Sequence, residues 1–151
     1  MGIDLAPIDT ADAEEVRWLE ALVWPGQPDR LARLREAITV AQEDPPPVVR
    51  GDLLDDLAAV AARAPSGTTL VVFHTATLAY LEPDRRERFA DAVREIGAHW
   101  IANEGFGVTP GLSATPDATL PPPGSAFVVS ENSTPVALAD PHGAWIHWLA
   151  P

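Results

Sequence analysis

The sequence predicts an α/β fold: a mostly parallel sheet with flanking helices, closed at its edge by a C-terminal antiparallel meander. Three observations carry this expectation. Up to residue 104, short apolar runs alternate with segments of helical periodicity, as in successive βαβ units. The run TTLVVFH (68–74) is continuously apolar and β-branched, the pattern of a strand covered on both faces of a parallel sheet. After residue 125, three short apolar runs separated by NST and PHG suit an antiparallel meander.

Each element has its own local reason. Ile3 and Leu5 mark a short first strand that ends around Asp4. Asp12 and Glu15 have capping-box spacing, and Val16, Leu19, Leu22 and Val23 then recur at helical intervals. WPGQP (24–28) breaks that helix, and Pro28 suits the first position of the next, whose apolar face is Leu31, Leu34, Ile38 and Ala41. PPPVVRGD (45–52) leads through a strand at Val48 to Arg50 into Asp52, which is placed to cap a helix bearing Leu53, Leu54, Leu57, Val60 and Ala61. After TTLVVFH, the segment 83–97 reads as a helix with Pro83 near its start, Phe89, Val93 and Ile96 as its stripe, and Gly97 as C-cap. HWIANE (99–104) follows as a strand. Residues 105–125 are a Gly/Pro/Ser/Thr-rich loop, and AFVVSE (126–131), PVALAD (135–140) and AWIHWL (144–149) form the meander.

A chain of 151 residues with 46% hydrophobic content is expected to form one domain: a βαβ part (1–104), the loop (105–125) and the antiparallel strands (126–151). Ten basic residues against 22 acidic ones give a formal charge of −12, which disfavours nucleic acid and anionic membranes as partners. With no cysteine there are no disulfides, thiolate metal sites or cysteine nucleophile. No leader pattern and no apolar run of membrane-spanning length occur, so a cytoplasmic location is expected.

In an open α/β sheet, ligands bind beyond the carboxyl ends of the strands. The residues expected there are Asp4, Asp52, His74 and Glu104, four ionisable groups on one rim. Each also has a plain structural reading. Asp4 can turn the chain toward Pro7 and Asp52 can cap a helix. His74 can be a hydrogen-bonded core imidazole, and Glu104 can cap the following loop. Tyr80, six residues beyond His74, is within reach of the same rim.

The stretches GIDLAPID, WLEALVWPGQPDRLARLREAI, VVRGD, VVFHTATLAYL, WIANEG and PHGAWIHWL together resemble an uncharacterised bacterial domain-of-unknown-function family. That family is related in fold to class I S-adenosylmethionine-dependent methyltransferases. The resemblance covers nearly the whole chain and corresponds to the carboxyl-terminal part of the family pattern. It implies a Rossmann-like, methyltransferase-like sheet in which the GIDL strand is the second, ending in the acid (Asp4) that holds the cofactor ribose. Asp52 then falls where a third-strand acid meets adenine, and His74 falls near the transferred methyl group. The usual first strand and its glycine-rich loop have no counterpart, and GFGVTPG (105–111) follows the last parallel strand instead.

Two functional expectations follow from the resemblance. In one, the chain is an incomplete methyltransferase-like protein, not an active methyltransferase by itself, that dimerises or binds a partner through its bared sheet. In the other, it binds S-adenosylmethionine or another nucleoside through Asp4 and Asp52, while His74, Glu104 and Tyr80 act on substrate. Other constellations are weaker. His142 and His147, five apart, would lie on opposite faces of a strand, so no metal site is expected from them. GLSAT sits in the loop without the flanks of a nucleophile elbow. The five Trp suit core or interface packing.

Overall fold

The structure, a computed structural model, describes residues 1–112 and 126–149. It divides into two compact units, Met1–Asp56 and Leu57–Pro151.

The first unit contains β1 (Gly2–Asp4), α1 (Ala13–Ala21), α2 (Pro28–Glu43) and β2 (Val48–Arg50). The Asp12 carboxylate caps α1 by accepting from the N–H groups of Glu14 (2.7 Å) and Glu15 (3.4 Å). Glu15 does not complete the reciprocal box; its carboxylate accepts from Asp9 N–H at 2.7 Å and so fixes the approach to the helix. Pro28 opens α2, where a missing N–H costs nothing. Arg35 on α2 grips Glu20 on α1 through two parallel hydrogen bonds of 2.8 and 2.9 Å, and Gln42 donates to the Thr10 carbonyl at 2.7 Å. β1 and β2 pair in parallel, with Ile3 opposite Val49 and Asp4 opposite Arg50. Ile38 is buried.

The second unit contains α3 (Leu57–Ala61), β3 (Val71–Thr75), a 3₁₀ turn (Leu78–Tyr80), α4 (Pro83–Glu95), β4 (His99–Gly105), β5 (Phe127–Glu131), β6 (Thr134–Ala139) and β7 (Ile146–Trp148). Strands β3 to β7 form one sheet in sequence order. β3 and β4 are parallel, joined through α4, while β4–β5, β5–β6 and β6–β7 are antiparallel. Asn132 and Ser133, both at positive φ (48° and 64°), form the two-residue β5–β6 turn, whose twist suits a hairpin. α4 ends as expected, with Gly97 at φ 67° just past the last turn. Its buried residues Phe89, Ala90 and Val93 form, with Trp100, Ala102, Val128 and Leu138, the core of this unit.

Four expectations are corrected. The described strands do not form one mostly parallel sheet: they form a two-stranded parallel sheet and a separate five-stranded sheet dominated by antiparallel pairs. TTLVVFH is not covered on both faces; β3 is an edge strand on which Val71 (49% exposed) and Phe73 (77% exposed) face water. Residue composition reports how a strand could be buried, but its position in the sheet depends on which other strands are present. The helix expected from Asp52 begins only at Leu57, because Asp52 and Asp56 close a tight turn first. His142 lies in the turn before β7, so the expected two-faced strand placement does not apply to it. Of the loop, residues 113–125 lie outside the described residues; at its start Thr109 and Pro110 are buried, and Ser133 Oγ donates to the Pro110 carbonyl at 2.9 Å.

Candidate functional site

The alternation of β4 sends Trp100, Ala102 and Glu104 to one face of the sheet, all three buried. The register places His74 of β3 beside Ala102 on that same face. α4 covers it: the Phe89 ring meets His74 edge-on at 5.5 Å between centroids and Trp100 at 5.9 Å.

A buried chain of hydrogen bonds results. The indole Nε1–H of Trp100 donates to His74 Nε2 at 2.9 Å. Because an indole can only donate, Nε2 must be an acceptor and the ring proton sits on Nδ1. Nδ1–H then donates to Glu104 Oε1 at 2.7 Å. The same oxygen accepts from the backbone N–H of Thr77 (2.7 Å) and of Leu78 (2.9 Å), at the entrance to the 3₁₀ turn. The Glu104 carboxylate therefore ties together the ends of β3 and β4 and the turn that follows β3. That turn is strained: Ala76 sits at φ 52°, a left-handed conformation that costs a non-glycine residue about 1 kcal/mol or more.

The electrostatics follow from this geometry. Burial pushes the Glu104 carboxyl upward, yet the hydrogen bonds from His74, Leu78 and Thr77 outweigh it and hold the group below its ordinary value. Its second oxygen, Oε2, is buried without a hydrogen-bond partner among the described residues, as is the Oγ of Ser130. Ser130 lies opposite Ala102 and Val128 opposite Glu104, so both orphan atoms belong to the same layer.

The remaining candidates are placed differently. Asp4 ends β1 in water, its Oδ1 accepting from Ala6 N–H at 2.8 Å in a local turn. Asp52, two residues beyond β2, accepts from Leu54 N–H at 2.8 Å and donates its own N–H to Asp56 at 2.9 Å. Gly51, just before Asp52, lies close to the Asp56 carboxylate: a Cβ there would come within 2.2 Å of an Asp56 oxygen unless that side chain moved. Gly51 N–H also donates to the Asp4 carbonyl at 2.9 Å, which holds the ends of β1 and β2 side by side. Tyr80 is 89% exposed at the end of the 3₁₀ turn. The structure thus joins His74 with Glu104 in one unit and Asp4 with the Asp52 turn in the other.

Trp100 was not assigned to the site by sequence reasoning, although the spacing Trp100-x-Ala102-x-Glu104 is the period-two signal that puts indole and carboxylate on one face. The Thr77 and Leu78 amides carry no sequence signal. Among the described residues, no group of three His, Asp or Glu side chains could hold a metal ion, and no helix is long and apolar enough to cross a membrane.

The bacterial family described as "Uncharacterized protein conserved in bacteria (DUF2332)" matches residues 1–148. The chain belongs to this family. No match is found among curated proteins or among solved structures. The matched residues extend over both units.

Proposed function

We propose that the chain is an incomplete methyltransferase-like protein, cytoplasmic, that is not an active methyltransferase by itself and works by binding a protein partner, a second copy included. One observation carries the non-catalytic part of this reading. Both nitrogens of the His74 ring are engaged, Nε2 by Trp100 and Nδ1 by Glu104, so the imidazole has no lone pair to offer a substrate. Glu104 is fully buried and serves three donors through one oxygen, as a structural acceptor does.

A second reading is favoured by a separate observation. Asp4 and Asp52 follow neighbouring parallel strands and are held close by the Gly51–Asp4 hydrogen bond, an arrangement suited to the hydroxyls and amine of a nucleoside. In this reading S-adenosylmethionine or a related nucleoside binds at the ends of β1 and β2. Calorimetric titration with S-adenosylmethionine and S-adenosylhomocysteine separates the two. The first reading expects no heat at millimolar ligand; heat abolished by Asp4→Ala establishes the second.

A further inference from the structure

The His74 ring stands between a neighbour that can only donate and a neighbour that carries charge. The Trp100 indole N–H points at Nε2 from 2.9 Å, and Glu104 Oε1 holds Nδ1 at 2.7 Å. Neutral imidazole satisfies both, since it offers one lone pair and one N–H. Imidazolium satisfies only Glu104. Its second proton must sit on Nε2, where two N–H groups would face each other across a hydrogen-bond distance. The carboxylate attracts that same cation. The two neighbours therefore favour opposite charge states of one ring.

No other charge in this unit is placed to decide between them. The layer around the ring, from Phe89, Ala90 and Val93 of α4 to Leu78, Val128 and Ser130, carries no titratable group. α3 and β6 carry none either. Arg86 of α4 directs its guanidinium to the carbonyls of Leu81 and Ala79, at 2.9 and 3.3 Å. His147 shares the face of Glu104 but lies three strands away, in water. His99 and Glu131 pair with each other at 3.4 Å on the opposite face.

We propose that Trp100, His74 and Glu104 form a proton-operated latch between α4 and the sheet. A solvent proton adds to His74 Nε2, the indole hydrogen bond breaks, and Glu104 keeps the ring while the chain stays folded. The imidazole retains 8% exposure, which gives that proton a way in. The Glu104 side holds because its Oε1 is also anchored by the Thr77 and Leu78 amides. The Trp100 side gives way because the indole has lost its acceptor. Phe89 carries the change to α4, since its ring meets both His74 and Trp100 edge-on. A histidine poised between two packings is a switch that works near neutral pH. No ligand takes part, so the latch goes beyond both readings of function.

The test is NMR of the ¹⁵N-labelled full chain from about pH 8 to about pH 4, following the His74 ring nitrogens and the Trp100 indole N–H. At the upper end His74 is expected to carry its proton on Nδ1. On acidification Nε2 gains a proton, and at the same midpoint the Trp100 indole signal moves and begins to exchange with water. Backbone signals of β4 and β5 are expected to stay in their folded positions through that step. Trp100→Phe, which releases the lone pair, is expected to raise the midpoint by about one pH unit, and Glu104→Gln, which removes the counter-charge, to lower it by about as much. A merely packed imidazole would not show opposite shifts. A wild-type His74 with its proton on Nε2 at the upper end overturns the proposal, as does an indole signal that holds its place until every backbone signal collapses with it. A midpoint that either folded variant leaves in place also overturns it. The first two outcomes are read on the wild type, so a variant that fails to fold does not shield the proposal.

Discussion

Asp4 and Glu104 both come at the carboxyl end of a strand, yet water surrounds Asp4 while no water reaches Glu104. Asp4 makes one short-range hydrogen bond, to a backbone amide two residues on, and leaves the rest of its carboxylate to solvent. Glu104 gathers three donors from residues more than twenty positions away and none from solvent. A strand-end acid is therefore not one kind of residue. Its contribution is set by whether the fold removes it from water, because desolvation must be offset by donors before a buried carboxylate can stay ionised.

Removing the carboxylate at Glu104 breaks this contrast most strongly. Glu104→Ala leaves three donors facing a void and is expected to cost about 4 kcal/mol, read as a lower urea midpoint at unchanged slope. Glu104→Gln keeps an accepting oxygen and is expected to recover about half of that loss.

The same carboxylate makes stability depend on pH, with a definite sign. Its folded value lies below its ordinary one, so the unfolded chain takes up the proton first on acidification. The stabilisation is fully present above the unfolded value, near pH 4, and is lost as pH falls through the folded value. Urea unfolding between pH 2 and pH 7 should show this loss in the wild type. Glu104→Gln should flatten the profile over that range; a slope unchanged by the substitution would assign the acid sensitivity to other carboxylates.

Trp100→Phe is a smaller perturbation of the same layer. It removes the donor to His74 Nε2 and part of the packing on Phe89, and is expected to cost about 2 kcal/mol. It also frees Nε2. If a gain of imidazole reactivity toward an acylating reagent accompanied the loss of stability, it would show that the indole is what keeps the ring chemically silent.

Much of this fold was legible in local pattern. The Asp12 cap, Pro28 at the start of α2, Gly97 after α4 and the β5–β6–β7 meander all express forces acting over a few residues, and their signals sit in the same few residues. What was not legible depended on distant partners. The run 68–74 looks interior because its residues are apolar, but whether it is interior depends on a strand elsewhere. The pairing of His74 with Glu104 spans thirty residues and becomes visible only once the β3–β4 register is known. The sequence marks Asp52 as a helix cap; its side chain does turn the chain, accepting from Leu54 N–H, but Asp56 accepts from Asp52 N–H and the helix begins only at Leu57. Ile3 and Leu5 around Asp4 give no hint of the carboxylate's surroundings either, since a three-residue strand has too few positions to show a buried face.

In the first unit the expected effects are smaller. Asp12→Ala, which removes the acceptor for two amides of α1, is expected to cost about 1 kcal/mol, read as a loss of helical circular dichroism on mild heating.

Asp4→Ala is the mildest change in stability and the most informative about ligand binding. Its carboxylate is exposed and, among the described residues, accepts from the nearby Ala6 N–H, an amide that can turn to water when the acid is removed, so thermal unfolding should be unaltered within error. The contrast with Glu104 then becomes a functional criterion. A carboxylate whose deletion unfolds the chain is spent on the fold, whereas one whose deletion costs nothing is free to face a ligand. Wild-type heat with S-adenosylmethionine that disappears in a stable Asp4→Ala protein would make the end of β1 a nucleoside site. Equal silence in both proteins would leave Asp4 as a turn-forming residue, and the acids of this chain would then serve its architecture and solubility rather than chemistry.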